Sequence, residues 1–314
     1  PLTGIFLESF KHTRNNMDIL NRVYKNSVEQ HEIDNMGHMN VQFYVYHALN
    51  ACEIFLKEKK LITWPQTMNT FFDLEELFIR YLREQTVGNP FVILAKMQEI
   101  SDNKIIVYLE MKNLKTNAIS SAFLLTFKYA FGHSRANQSL TSKKDNISDS
   151  KLSAPSHAIK KGLLGLPNLN LKYQDVSNGQ NYVESFRGLA SRKFNKKFNQ
   201  LNAADYMGII SKAVPHLLLQ GEHSIDETGI GGAALEYEFR FNRFVEEGNR
   251  IMLKSGLRTI SRKTYSWTHW FMDQDTREIV AVADSVIVAM DLTTRKAVAI
   301  PRKMRAKLEQ ILIA

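Results

Sequence analysis

The sequence holds a single cysteine, Cys52, among 314 residues. That scarcity excludes a disulfide framework and any cysteine-based zinc site, and it suits a reducing compartment. Long hydrophobic runs are also missing: no stretch approaches the ~20 uninterrupted apolar residues that a membrane-spanning helix needs. Pro1 to Phe10 lacks the basic start and apolar core of a signal peptide. The expectation is a cytoplasmic protein without a membrane partner. What is present, 44% hydrophobic, 23% charged and 10% aromatic residues, is the composition of a folded chain rather than a disordered or fibrous one. The length suggests two domains.

Acidic charge is in deficit, with 32 Asp and Glu against 41 Lys and Arg, a net +9. Residues 1–157 hold 18 basic and 16 acidic side chains and residues 158–314 hold 23 and 16, so the second half carries most of the excess. A polyphosphate-bearing ligand, an acidic protein or a nucleic acid would each be attracted by such a field, and ordinary solubility explains it equally well.

Gly132 to Pro155 is rich in Ser, Asn, Lys and Asp and has no apolar periodicity, which marks a linker extending to about Asn181. The division expected is 1–131, a polar linker over 132–180, and 181–314. Both halves carry the same order of signals. In the first, Asp18 to Gln30 reads as extended. A helix follows, with Val41, Tyr44, Val45, Ala48, Cys52, Phe55 and Leu56 recurring at three- and four-residue steps. Four β-rich runs come next, Phe71 to Arg83, Phe91 to Ser101, Lys104 to Asn113 and Ile119 to Phe131, separated by turn signals. In the second half, Tyr182 to Phe194 reads as extended and Ala203 to Leu219 as a helix. Strands are expected at Ala234 to Phe244, Arg250 to Ile260, Thr264 to Asp273 and Glu278 to Asp291.

Residue matches tie the halves together. Arg83, Gly88 and Asn89 recur as Arg243, Gly248 and Asn249, and Ile100-Ser101 as Ile260-Ser261, while Asn40 and Tyr44 recur as Asn202 and Tyr206. The near-constant offsets, 160 and 162, indicate an internal duplication. A long helix on one face of a sheet of sequential strands is an α+β layer. Two such units can pair as a homodimer would, with the active surface expected at the seam between them.

The densest polar cluster, His31-Glu32-Ile33-Asp34-Asn35-Met36-Gly37-His38-Met39-Asn40, lies immediately before the first long helix. A helix start offers unpaired N–H groups and a positive dipole end, which stabilise developing negative charge. Gly37 permits a backbone geometry denied to other residues. A duller reading makes Asp34 and Asn35 turn or helix caps, His31 and Glu32 surface residues, and Tyr44 and Tyr206 core. His31, Asp34 and His38 do not form the helical His-Glu-x-x-His zinc pattern, and no metal is expected.

Asp34-x-x-Gly37-His38-Met39-Asn40-x-x-x-Tyr44 resembles the helix-entry signature of hotdog-fold thioesterases, the superfamily that includes 4-hydroxybenzoyl-CoA thioesterase. Asn202-Ala-Ala-Asp-Tyr206 and Ala213-Val-Pro-His216-Leu-Leu are similar to the partner repeat of double-hotdog members. The resemblance covers about residues 15–131 and 180–300. It implies a tandem hotdog, each repeat a long helix wrapped by an antiparallel sheet. It also implies hydrolysis of an acyl-CoA or acyl-phosphopantetheine thioester without a metal or redox cofactor. Asp34 would act as nucleophile or general base, with His38 and Asn40 as the other catalytic residues. Gly37, Met39, Tyr44, Asn202 and Tyr206 would contact substrate, and helix-start amides near Gly37 to Asn40, or those of the facing repeat, would hold the oxyanion. By the offset of 162, Asp34 falls on Lys196, Gly37 on Asn199 and His38 on Gln200. The expectation is one competent site per chain, built on Asp34 of the first repeat and walled by the second. A hotdog hydratase or dehydratase, and a non-catalytic acyl-CoA binding protein, are the alternatives. Association beyond the tandem pair, as a homodimer of such chains, is a family expectation.

The run Arg192-Lys193-Phe194-Asn195-Lys196-Lys197-Phe198 mixes aromatics with positive charge, as RNA-binding strands do, but a solvated edge or a patch for coenzyme A phosphates fits the resemblance better and no nucleic-acid partner is expected. Arg295-Lys296 and Arg302-Lys303-x-Arg305 form a weaker patch. Gly229-x-Gly231-Gly232 lacks the strand-to-helix context of a nucleotide fingerprint and reads as a loop before a strand.

Overall fold

The computed structural model describes residues 20–62, 72–101, 104–129, 150–151, 155–166, 171–179, 182–193, 199–219 and 229–313. The chain divides into two compact units. The first is Pro1–Met39 with His47–Ile159; the second is Asn40–Tyr46 with Lys160–Ala314. The unit boundary at Ile159 falls within the 132–180 segment. Where that segment is described it buries Ala158 and Val176.

The first unit is built on β1 (Asn21–Ser27), β2 (Phe72–Tyr81), β3 (Pro90–Ile100), β4 (Lys104–Asn113) and β5 (Ile119–Tyr129). These form an antiparallel sheet in the order β1-β3-β4-β5-β2. The helix α1 (Val41–Glu58) runs before β2. Its sequence explains its limits. Asn40 Oδ1 accepts the Gln42 amide at 3.1 Å, as an N-cap does. At the other end Lys60 is left-handed (φ 58) and Leu61 N–H bonds back to Leu56 O, which satisfies the last carbonyls. Val45, Ala48, Ala51, Cys52, Phe55 and Leu56 are fully buried. Of these, the large side chains Phe55 and Leu56, withdrawn from water, each stabilise the first unit by about 1.5–3 kcal/mol.

The second unit repeats the plan with β7 (Val183–Leu189), α3 (Ala203–Leu219), β8 (Ile230–Phe241), β9 (Arg250–Ile260), β10 (Thr264–Asp273) and β11 (Glu278–Asp291). Its sheet order, β7-β9-β10-β11-β8, is that of the first unit. The irregularities are duplicated as well. The ladder slips between Arg22 and Tyr24 and again between Glu184 and Phe186. It slips between Met97 and Glu99 and opposite Leu257 and Thr259, and between Leu74 and Glu76 and opposite Ala234 and Glu236. The last pair is Met111/Lys112 and Phe271/Met272. Bulges re-aim a strand and add twist, so four at matching places give both sheets the same curvature. The closing bonds match too: Met39 N to Gln85 O and Leu201 N to Val245 O are both 2.8 Å.

Four elements go beyond the expected set. β6 (Ser150–Lys151) pairs with β3 and β12 (Lys296–Ala297) with β11. The helix α2 (Tyr173–Asn178) buries Val176 against Met252, Trp270 and Val282. The helix α4 (Arg302–Gln310) sets Met304 and Leu308 against Leu257 and Trp267. One strand start needs correction. β8 begins at Ile230, so Gly231 and Gly232 are inside it rather than in a loop. A Cβ on Gly232 would stand 2.6 Å from the Tyr265 hydroxyl, and that close approach is why glycine occupies a strand interior.

Candidate active site

The polar run before α1 folds into a closed ring. Ile33 and Met39 form a β-bridge, Asp34 N–H donates to His38 O at 2.8 Å, and Gly37 N–H donates to Asp34 O at 3.0 Å. Gly37 has φ 80, the left-handed geometry that lets so short a loop return. The Asp34 carboxylate braces the ring from within: Oδ1 accepts from Met36 N at 2.8 Å and from His38 N at 3.3 Å. Among the described residues, Oδ2 has no hydrogen-bond partner. Asp34 therefore caps its turn with one oxygen and presents the other, at a half-buried position. His38 Nε2 stands 3.2 Å from Glu84 Oε2, while His31 pairs with Glu29 at 3.3 Å on the surface.

The amides expected to hold an oxyanion are mostly committed. Gly37 N and His38 N serve Asp34, and Met39 N serves Gln85 O. Asn40 caps α1 through Oδ1 and donates from Nδ2 to Ser211 Oγ at 2.8 Å, a bond inside the second unit as the contacts divide the chain. Met39 and Tyr44 are buried, at 3% exposure each.

Glu32 is the main departure from the surface reading. It is 3% exposed, and its Oε1 lies 2.8 Å from Nε2 of His47, itself 1% exposed on α1. Glu32 Oε2 accepts the Glu29 amide at 3.0 Å. On the far side of the ring, His47 Nδ1 is 3.1 Å from the Tyr24 hydroxyl, which accepts from Asn26 Nδ2 at 2.9 Å. Burial by itself would raise the Glu32 pKa. The His47 hydrogen bond, the Glu29 amide and nearby positive charge outweigh it and hold the carboxyl below its ordinary 4.5. One signal for this network was available in the sequence. His47 is a polar residue within the apolar stripe of α1, and such a residue needs a buried partner.

In the second repeat the counterparts serve the fold. Asn202 Oδ1 accepts the amides of Ala204 and Asp205, and Asp205 Oδ2 accepts the Asn202 amide at 2.9 Å, a reciprocal cap for α3. Asp205 Oδ1 also takes the Lys193 amide, so it does more than complement the helix dipole. Tyr206 is fully buried among Phe241, Phe244 and Phe271, with its hydroxyl accepting from Val245 N at 3.1 Å. The structure therefore places Tyr206 in the core, where burial pushes its phenol pKa up. Gln200 bridges to Glu246 in the strand sense. Lys196, the counterpart of Asp34, lies outside the described residues. Of the basic run, Arg192 is held by Glu247 through Nε at 2.6 Å, and Lys193 stands over the Phe43 ring at 4.9 Å.

The chain belongs to the thioesterase-like superfamily, whose family model matches residues 28–138 and again 196–308. Three solved structures match over most of both chains. A 12:0-ACP thioesterase from Umbellularia californica superimposes with a TM-score of 0.60 at 10% identity, covering 85% of this chain and 93% of the other. An acyl-ACP thioesterase from Bacteroides thetaiotaomicron gives a TM-score of 0.55 at 11% identity, covering 84% and 96%. A conserved protein with a hotdog fold from Alicyclobacillus acidocaldarius gives 0.50 at 12% identity, covering 88% and 98%. No curated protein matches the sequence. The architecture is thus a tandem hotdog of the α+β class, as the sequence resemblance implied. No helix among the described residues is long and apolar enough to cross a membrane.

Proposed function

We propose that the protein is a thioesterase acting on an acyl chain carried by a phosphopantetheine arm, as in acyl-CoA or an acyl carrier protein, with Asp34 as the reacting carboxylate. The reaction consumes the thioester and one water and yields a carboxylic acid and a free thiol. Asp34 Oδ2 either attacks the carbonyl carbon or takes a proton from the attacking water. His38, held by Glu84, orients the water or the leaving thiol. The N-terminal end of α1, which follows the ring directly in the chain, carries the positive end of the helix dipole and favours the negative charge that builds on the carbonyl oxygen.

The observation that carries this reading is the division of labour within Asp34. One oxygen fixes the ring, so the other is presented in a single orientation, and a preset orientation removes part of the entropic barrier. The family match and the acyl-ACP thioesterases with the same fold support the reaction class. The excess basic charge of the second half suits a phosphate-bearing carrier.

Release of free thiol from a panel of acyl-CoA and acyl carrier substrates, with wild type and Asp34→Ala in parallel, tests the reading. Thiol release by the wild type and its loss in the variant are expected. A variant as active as the wild type would remove Asp34 from the chemistry. Water addition to an enoyl-CoA without thiol release would move the protein to the hydratase class.

A further inference from the structure

We infer that the buried chain Tyr24–His47–Glu32 is a positioning device that sets where the Asp34 carboxylate stands relative to α1. The inference rests on the thioesterase reading for its kinetic consequence and on the geometry of the first unit for its existence.

The ring from Ile33 to Met39 is closed by its own hydrogen bonds, so its internal shape needs no outside help. Its placement does, because a ring held at one end pivots there. The leaving end is fixed by Met39 N to Gln85 O. The entering end is fixed by Glu32. Between Glu32 and Asp34 stands only Ile33, in extended geometry (φ −85, ψ 135). A shift of the Glu32 backbone therefore passes to Asp34 across a single residue.

Glu32 is anchored by both carboxylate oxygens, Oε2 on the Glu29 amide and Oε1 on His47. Two donors meeting a two-acceptor carboxylate require His47 to carry its proton on Nε2. The His47 ring is in turn held by the Tyr24 hydroxyl and by an edge contact with Phe91, 4.9 Å between centroids. The chain thus runs from β1 through α1 to the turn that enters the ring.

Comparison with the second unit argues against a purely structural role. At the positions of Tyr24 and His47, by the offset of 162, it has Phe186 and Ile209, and its β1 counterpart keeps the same burial pattern. The same skeleton closes with apolar residues there. A buried carboxylate with its hydrogen-bonded partner is seldom kept for stability, since packed hydrophobic residues do as well or better. The polar chain is present in the repeat that has the reactive carboxylate.

The test uses Glu32→Gln, the paired change Tyr24→Phe with His47→Ile that copies the second unit, and His47→Gln, whose amide keeps a donor where Nε2 stood. Folding is followed by circular dichroism and melting. On a cleaved acyl-CoA, Glu32→Gln and the paired change should lower kcat about 10- to 100-fold with KM within about threefold of wild type. His47→Gln should recover most of the loss. In an Asp34→Ala background the same changes should cost nothing further. Wild-type kcat in a folded Glu32→Gln protein, or an equal loss in the Asp34→Ala background, would overturn the inference.

Amide hydrogen exchange gives a readout that does not depend on activity. Ile33 and Asp34 should exchange at least about tenfold faster in Glu32→Gln while the buried turns of α1 keep wild-type rates. Unchanged exchange at those two amides also overturns the inference. Absence of thiol release by the wild type would refute the thioesterase reading instead, and the exchange result would still decide the positioning role.

Discussion

One residue from each strand of the first unit, Val23, Ala95, Leu109, Leu125 and Leu77, gives a row of buried apolar positions that is stepped, since Leu109 faces Phe123 and Leu125 faces Leu77. At the same places in the second unit stand Ser185, Ser255, His269, Ser285 and Tyr237. The second row is tied together laterally. Ser185 Oγ meets Ser255 Oγ at 2.8 Å, Ser255 Oγ meets His269 Nδ1 at 2.8 Å, and Ser285 Oγ meets His269 Nε2 at 3.4 Å. Burial drives the His269 pKa down to about 3, so the ring is neutral at ordinary pH. Near the helix entry the contrast reverses, with Tyr24 and His47 in the first unit and Phe186 and Ile209 in the second. The duplicated backbone accepts either solution because what it requires is the same curvature and filled volume. A buried polar side chain is tolerated wherever its partners are present, so polar residues move in groups rather than singly.

The comparison is expected to break most sharply at Asp34. Asp34→Ala should reduce thiol release about 10³-fold. Gln200→Ala, at the second-unit place of His38, should stay within about twofold. Steady-state kinetics on one acyl-CoA measure both, and a comparable loss in the second would place chemistry in both repeats.

Crossing one member of the two rows should come next. Leu109→His puts an imidazole between Ala95 and Phe123, whose side chains offer it no hydrogen bond, and should cost about 3 kcal/mol or more in urea unfolding. His269→Leu removes a ring whose serine neighbours keep Leu253 O, Trp267 O and each other, and should cost only about 1–2 kcal/mol.

A smaller asymmetry is expected at the strand-end corner. Asn113 Nδ2 donates to Gln85 Oε1 at 2.6 Å and Asn89 Oδ1 at 2.9 Å. Its counterpart Asp273 accepts from Arg243 at 2.8 Å and Asn249 at 3.0 Å. Asp273→Asn turns a donor toward an arginine that has no acceptor, and about 2 kcal/mol should be lost. Asn113→Asp should cost less, about 1 kcal/mol, because the Gln85 and Asn89 amides can rotate to donate.

The smallest effect is a pH dependence of the second unit that rests on Asp284. Asp284 is buried, and despite Thr268 and Arg258 beside it burial raises its pKa from 3.8 to about 6, with Glu238 adding to the rise. Between those values the folded state binds the proton more tightly than the unfolded state. Stability from this group therefore falls as pH rises from 3.8 through 6. Asp284→Asn should flatten that decline, shifting the melting temperature by about 2–4 °C between pH 4 and 6.5. Leu124 occupies the equivalent place in the first unit, and Leu124→Ala should leave the pH profile unaltered. Glu32 behaves oppositely. Its depressed pKa stabilises the first unit above about 4.5, and that support is lost as pH falls below it.

Local pattern placed most elements on their residues. The helix Ala203–Leu219 and the strands Arg250–Ile260, Thr264–Asp273 and Glu278–Asp291 are where periodicity and turn signals put them. The sequence also showed the duplication and the presence of a carboxylate before α1 in the first copy alone, because equivalent positions in a repeat can be read by offset. Other features depended on neighbours distant in the chain. Gly231 and Gly232 look like loop residues until Tyr265 and Leu292 crowd them within β8. The helix α4 is short and strongly basic, and it acquires an apolar side only when Leu308 meets Leu257 and Trp267. Glu32 and Asp34 have the same charge two residues apart. Local sequence contains nothing that sends one into the interior and leaves the other half-exposed. That choice was made by His47, fifteen residues away, whose ring nitrogen offers the buried carboxylate a partner that water would otherwise supply.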